Sequence, residues 1–227
     1  MTLSLAPLDA RDTARLIPSQ YSDGGDSVLA RIADDQSHLD LIFELDHATN
    51  DRLMAQNDLL PGIGRDELVF AVPFHRIINA AFCHANPTGS RFNGPDRGCW
   101  YAGDCVETSL AEVVFHKSLA LTEINRFEDE ASYDCYLADL SGSYHHLTDS
   151  DLPYLDPDDY RAAQTLAETL LGQGATGVRY PSVRAQSGDC YACFRPAMIA
   201  NVRKAQTLKL VWSGQPEPSV WVTDPQP

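Results

Sequence analysis

The stretch from residue 89 to residue 116, GSRFNGPDRGCWYAGDCVETSLAEVVFH, constrains the fold more than any other part of the chain. Its first half is broken into turns by glycine and proline, at Gly89, Gly94, Pro95, Gly98 and Gly103. The run CWYAG predicts a short strand. The second half predicts a helix from about Val106 to Leu119, with Asp104 and Glu107 placed as a capping box. A loop, a strand and a helix in this order place polar side chains on a loop beside rigid elements. A hydrophobic core does not need this arrangement, so it indicates a functional site.

The rest of the sequence predicts a mixed α/β or α+β domain preceded by helices. Residues 1–67 are predicted to be helical, because apolar residues in their second half recur at helical spacing. Strands are predicted over residues 69–78, 133–142, 175–183, 190–199 and 205–212. Residues 156–174 predict an amphipathic helix. The predicted organisation is an N-terminal helical extension (1–67), a central domain (68–212) and a Pro-rich tail, extended or frayed (213–227).

Charge and cysteine content exclude several classes of function. The formal net charge is −15, from 17 basic and 32 acidic residues, and such a surface repels phosphate backbones, so no nucleic-acid binding is expected. No apolar run is long enough to span a bilayer and no signal-peptide pattern is present, so a soluble, cytoplasmic protein is expected. The six cysteines predict reduced, mostly buried thiols. Cys190 and Cys193 have CxxC spacing without a second pair, and no metal site is expected.

The candidate functional residues combine two cations, an aromatic ring, a carboxylate and a hydroxyl. They are Arg76, Arg91, Tyr101, Glu112 and Ser182. Arginine forks suit diphosphate oxygens, and an aromatic ring suits a flat heterocycle. A carboxylate beside a ribose stabilises the positive charge that develops when a glycosidic bond breaks. These residue types are what cleavage of NAD at the nicotinamide ribose requires, although diphosphate-binding arginine pairs are common.

Three blocks of sequence resemble the RES domain family, which is named for its Arg, Glu and Ser residues. They are FHRIINAAF, GSRFNGPDRGCWYAGDCVETSLAEVVFHK and GVRYPSVR, and the resemblance spans about residues 68–200. It implies an ADP-ribosyltransferase-like fold of the diphtheria-toxin type, with a mixed β core and flanking helices. It also implies a toxin that is paired with an Xre-type antitoxin. Known members degrade NAD by phosphorolysis or hydrolysis, or transfer ADP-ribose to a protein.

The resemblance assigns roles to individual residues of this sequence. The family's first arginine falls on Arg76, its loop arginine on Arg91, its tyrosine on Tyr101, its glutamate on Glu112 and its serine on Ser182. Glu112 is expected to stabilise an oxocarbenium-like state, and the two arginines to hold the diphosphate or orient the ribose. Tyr101 is expected to stack on nicotinamide or to hydrogen-bond within the site. Ser182 is expected to position the nicotinamide ribose or Glu112.

Further candidates lie beside these residues. Asn93 and Arg97 share the Gly-rich loop and are candidates for phosphate contacts, while Arg184 follows Ser182 by two residues. Short family members lack an N-terminal extension like residues 1–67. Two functions therefore stay open: an NAD-consuming toxin, or an inert RES-like module that binds a nucleotide or a partner protein. The joint presence of the arginine, tyrosine, glutamate and serine favours the toxin.

Overall fold

A computed structural model of the chain describes residues 3–22 and 62–223. The strands are β1 (Ser4–Pro18), β2 (Trp100–Gly103), β3 (Glu128–His146), β4 (Gly177–Pro181), β5 (Asp189–Cys193), β6 (Ile199–Ser213) and β7 (Ser219–Thr223). The helices longer than a single turn are α1 (His75–Cys83), α2 (Val106–Glu123) and α3 (Arg161–Gly172). The protein is therefore a mixed α+β fold, as the sequence predicts.

The described strands form a seven-stranded sheet in the order β1-β2-β5-β4-β3-β6-β7. The long strand β3 pairs along one side with β1, and along the other first with β6 and then with β4. Because β1 also bridges to β2, the pairings β1-β2-β5-β4-β3 return to β1 and close a ring of strands. All of these pairings are antiparallel except the one between β3 and β4. The short strand β2 is thereby held on both sides, between β1 and β5.

The three helices each cover a separate apolar cluster. Helix α1 contributes Ile78 and Phe82 to a core around Trp100, and α3 packs on β4 and β5. Helix α2 packs against Leu208 and Leu210 of β6 through an apolar stripe, formed by Val106, Leu110, Val113 and Val114. This stripe is the one that helical geometry predicts from the sequence. It leaves Glu112 on the side of α2 that faces away from this core.

The helical prediction for residues 1–67 is wrong for residues 4–18, which form β1. Apolar side chains alternate along this segment, with Leu8 and Ala10 partly buried and Ala14 and Leu16 buried, and alternation is the pattern of a strand. A bulge between Ala10 and Thr13 interrupts the alternation, so the strand pattern is difficult to recognise in the sequence. The apolar residues at helical spacing that suggested helices fall between residues 23 and 61, outside the described residues.

The strand prediction for residues 69–78 is also wrong, because α1 begins at His75. Ile77, Ile78, Ala81 and Phe82 recur with the period of a helix and are buried together. None of the described strands pairs with the residues directly before α1. Instead, the Asn79 side chain bonds both the backbone N–H and the carbonyl of Val69, at 3.1 and 2.8 Å. The residues on either side of Pro73, which have a high propensity for strands, thus form a turn and the start of α1.

Two smaller predictions concern the start of α2 and the Pro-rich tail. Asp104 does not cap α2: Cys105 is the N-cap residue, and the Asp104 carboxylate accepts a bond from the Thr108 hydroxyl at 2.6 Å. Part of the Pro-rich tail is extended, as the sequence predicts, since residues 219–223 form β7 and pair with β6. Both β1 and β7 lie outside the predicted 68–212 domain, yet they pair with strands inside it.

Candidate active site

A cleft of about 840 Å³ lies between the Gly-rich loop, strand β2, helix α2 and the segment that precedes α3. The polar and aromatic side chains that line it include Arg15, Arg91, Tyr101, Glu112, His116 and Tyr160. Two glycines permit this close assembly. Gly89 has φ +73°, and a Cβ there would lie 2.3 Å from the Asn93 carbonyl oxygen. A Cβ on Gly103 would collide with Thr108 and Ser109, so glycine lets β2 end against α2.

Glu112 lines this cleft and is hydrogen-bonded to Ser182, which is not among the lining residues and lies behind the carboxylate. The Ser182 hydroxyl donates to Oε1 of Glu112 at 2.7 Å. The same hydroxyl oxygen accepts the backbone N–H groups of Arg184 and Ala185, at 3.1 and 3.0 Å. Since two donors occupy the lone pairs of the hydroxyl, its own proton is directed at the carboxylate. The loop after β4 therefore fixes one oxygen of Glu112.

The Cys190 thiol lies next to the same carboxylate oxygen. Its Sγ is 3.8 Å from Oε1 of Glu112. Burial, followed by the nearby negative charge of Glu112, raises the pKa of Cys190. The thiol therefore stays protonated near neutral pH and is a weak donor to Glu112. Ser182 and Cys190 together occupy Oε1, which leaves Oε2 as the oxygen open to a substrate.

Arg91 is buried and has no ion-pair partner among the described residues. Its side chain donates to the carbonyl oxygens of Asp156 and Tyr154, at 2.5 and 3.5 Å. Its guanidinium carbon lies 4.5 Å from the centre of the Tyr160 ring. Only 6% of Arg91 is exposed, so the surrounding loop holds the cation in one place. A positive charge that is buried without a carboxylate is suited to bind an anionic ligand.

Tyr101 fixes the Gly-rich loop rather than presenting a free hydroxyl. Its hydroxyl donates to Oδ1 of Asn93 and accepts the backbone N–H of Phe92, both at 2.8 Å. The Asn93 amide in turn donates to the Gly94 carbonyl. Burial raises the pKa of Tyr101 well above its ordinary value, so the phenol stays neutral. Asn93 is a support for Tyr101, and the structure does not place it among the residues lining the cleft.

The structure does not bring three other candidate residues into the cleft. Arg76 is exposed on α1, and Arg97 forms an ion pair with Glu67 at 2.7 Å. Neither arginine lines the cleft. Arg184 packs its guanidinium 3.3 Å above the Phe115 ring and donates to the Pro157 carbonyl at 2.5 Å. It thus joins α2 to the segment before α3, beside Glu112 but not on the wall of the cleft.

Arg15 of β1 is a cleft residue that the sequence analysis missed. Its Nη1 donates to the Tyr101 carbonyl at 3.0 Å, and its guanidinium lies 4.9 Å from the centre of the Trp100 ring. Its Nε is buried and has no hydrogen-bond partner in residues 3–22 and 62–223. Burial lowers the pKa of Arg15 to about 10, so the side chain is still charged at neutral pH. No motif marks this residue, and only the strand assignment of β1 would have indicated that it enters the sheet.

Two further cleft residues, His116 and Tyr160, were also missed. His116 follows Glu112 by one turn of α2 and lines the same cleft. Burial lowers its pKa, and the positive charges of Arg184 and Arg91 act in the same direction against the effect of Glu112. Tyr160 lines the cleft directly before α3 while it stacks on Arg91. The i, i+4 spacing on α2 was a usable signal for His116, but Tyr160 had none.

The RES domain family model matches residues 68–213. The chain belongs to the RES domain family. No curated protein sequence matches this RES domain protein significantly. Among solved structures, it is similar to one of the M. tuberculosis MbcT–MbcA toxin–antitoxin complex. That similarity has 16% identity and a TM-score of 0.41, and covers 55% of this chain and 73% of the other.

The described residues contain neither a membrane-spanning helix nor a metal-binding cluster of side chains. No helix there is long and apolar enough to cross a membrane. No group of three or more His, Cys, Asp or Glu side chains in residues 3–22 and 62–223 is arranged to hold a metal ion.

Proposed function

We propose that this RES domain protein is a toxin that consumes NAD by cleaving the bond between nicotinamide and its ribose. The observation that carries the proposal is that Glu112, whose carboxylate is hydrogen-bonded by Ser182, lines a cleft together with Arg15 and Arg91. A directed carboxylate suits a developing positive charge, and the arginines without carboxylate partners suit a diphosphate. The cleft volume of about 840 Å³ falls within the range of small-molecule sites.

The geometry suggests how the bond would break. The electron pair of the glycosidic bond moves to the ring nitrogen, so nicotinamide leaves as a neutral molecule. The ribose carbon that loses it becomes positive, in an oxocarbenium-like state. Glu112, with Oε1 held by Ser182, directs Oε2 at the ribose and stabilises this charge. Arg91 and Arg15 hold the diphosphate, and the rings of Tyr101 and Tyr160 form walls for the flat base.

The acceptor of ADP-ribose distinguishes three versions of this reaction. Inorganic phosphate as acceptor gives ADP-ribose 1″-phosphate, water gives ADP-ribose, and a protein side chain gives a modified protein. His116 lies one turn from Glu112 and lines the same cleft, so it is a candidate to contact an acceptor. Purified protein incubated with NAD, with and without phosphate, separates the first two versions. NAD that stays intact until a lysate is added identifies the third.

Control by an Xre-type antitoxin is part of the proposal. A cleft with Arg15 and Arg91 is locally positive within a chain of net charge −15. It would accept a carboxylate or chain terminus of the antitoxin in place of the substrate phosphates. Inhibition should then compete with NAD. Removal of the antitoxin's last residues should restore turnover while the rest of the complex persists, whereas full inhibition by the truncated partner would rule out this form of control.

Expression in bacteria tests the proposed function. The wild-type chain should arrest growth and lower cellular NAD, and Glu112→Gln should abolish both effects. Glu107→Gln is the matched control, because Glu107 is an exposed glutamate in the first turn of the same helix and does not line the cleft. If the folded wild-type protein leaves NAD unchanged, the alternative of an inert nucleotide- or partner-binding module is favoured instead.

A further inference from the structure

Strand β7 is an edge strand whose apolar side chains are exposed. It ends the described sheet, with β6 as its neighbour. Val220, Trp221 and Val222 are 40%, 62% and 59% exposed. Edge strands are usually protected by charged residues or by proline within the strand, yet β7 has the sequence SVWVT and contains neither. An unprotected edge of this kind is suited to pair with another strand.

The two faces of β7 continue two different surfaces of the sheet. Val220 and Val222 lie opposite Leu210 and Leu208 of β6, so they share the face that α2 covers. Leu208 and Leu210 are buried, whereas the two valines extend this apolar surface beyond the helix. Trp221 lies opposite Lys209 on the other face. A strand added to β7 would therefore cover valines on one side and the indole on the other.

The sequence of β7 is close to a palindrome centred on Trp221. In an antiparallel pair of two β7 strands, Trp221 meets Trp221, Val220 meets Val222, and Ser219 meets Thr223. Apolar residues thus face apolar residues, and hydroxyls face hydroxyls. No like charges meet, although the whole chain carries −15. Pro218 and Pro225 flank the segment in the sequence and cannot donate to a ladder, so they limit the length of the pairing.

We propose that β7 is a self-association surface, which pairs antiparallel with β7 of a second copy about a two-fold axis at Trp221. A second copy fits better than a different partner, because the strand matches itself position by position. Such pairing would join two seven-stranded sheets into one continuous sheet. The four valines of the two strands would form an apolar cluster that is continuous with the core beneath each α2.

Sedimentation of the full chain in reducing buffer tests this proposal. The wild-type protein should show a monomer–dimer equilibrium, with a dissociation constant on the order of 1–100 μM for so small an interface. Trp221→Lys places two cations opposite each other at the axis and should leave only monomer. Leu152→Lys is the matched control, since Leu152 is also exposed but lies outside β7, and should leave the dimer unchanged.

Cysteine cross-linking tests the register in a background with Cys105→Ser, which removes the exposed native thiol. An equimolar mixture of the Ser219→Cys and Thr223→Cys chains should form a disulfide-linked dimer under oxidation, and either chain alone should not. Wild-type protein that stays monomeric up to ten times the upper dissociation constant, about 1 mM, overturns the proposal. So does a Trp221→Lys chain that dimerises like the wild type, or equal cross-linking of the single variants.

Discussion

Removing the Ser182 hydroxyl should slow NAD cleavage by misplacing Glu112. In the wild-type structure, this hydroxyl donates to Oε1 of Glu112 while two backbone N–H groups fix its orientation. In Ser182→Ala, Oε1 of Glu112 loses this donor and keeps the Cys190 thiol, which is a weak hydrogen-bond donor. Glu112 would then rotate among several orientations, of which only one faces the ribose.

The size of this effect follows from the kind of bond that is lost. A hydrogen bond to a charged group contributes about 1.5–3 kcal/mol. If that free energy is realised in the transition state, kcat falls by about 10- to 150-fold. KM for NAD should change little, because Ser182 has no role in holding the diphosphate. The backbone N–H groups of Arg184 and Ala185 lose their acceptor, so the free energy of unfolding should fall by about 1 kcal/mol.

Nicotinamide release by purified protein is the assay, with Ser182→Thr as the control that keeps the hydroxyl. Ser182→Ala should also be introduced into Glu112→Gln. Because the serine acts through the glutamate, the second substitution should cause little further loss. If the two losses multiply instead, Ser182 acts on the substrate independently of Glu112, and the positioning argument is wrong.

Substitutions at four further residues test other parts of the structure. Arg91→Lys keeps the charge but loses the forked guanidinium, so KM for NAD should rise about tenfold or more. Tyr160→Ala removes the ring that stacks on Arg91 and should have a similar effect, whereas Tyr160→Phe keeps the ring and should not. Arg15→Met removes a buried cation without a carboxylate partner, so KM should rise while the melting temperature does not fall. Burial alone would raise the pKa of Glu67, but its bonds to two arginines lower it below 4.5. Its stabilising effect is therefore present above pH 4.5 and lost as the pH falls through its folded pKa, so Glu67→Gln should reduce stability in urea at pH 7, and this reduction should shrink as the pH is lowered through that folded pKa.

The parts of the fold that could be predicted from the sequence are those with strong local signals. Strand β2 and helix α2 lie where the glycine turns and the apolar stripe place them, and the same stripe puts Glu112 on the opposite side. Strand β1 could not be recognised locally. Its partner β3 begins more than a hundred residues later, and a bulge interrupts its alternation. Long-range pairing overrode the helical interpretation there.

The same non-local pairing explains which site residues were missed. Arg15 enters the cleft only because β1 lies between β2 and β3. The family resemblance predicts that Arg76 holds the diphosphate or orients the ribose, whereas the structure places Arg76 on the exposed face of α1. Ser182 is 70 residues from Glu112, and the family resemblance, not its spacing, suggested that they belong to one site. Their hydrogen bond is a feature that only the structure supplies.

Release of nicotinamide from NAD by the purified chain is the most direct test of the proposed reaction. The wild-type protein and Glu107→Gln should release nicotinamide at the same rate, in the presence of phosphate and a lysate that supplies protein acceptors. Glu112→Gln should fold normally and be slower by about 10²–10³-fold, as expected when a group that stabilises developing charge is removed. Equal rates for the wild type and Glu112→Gln, or no release by the wild-type protein under any of these conditions, would contradict the proposed function.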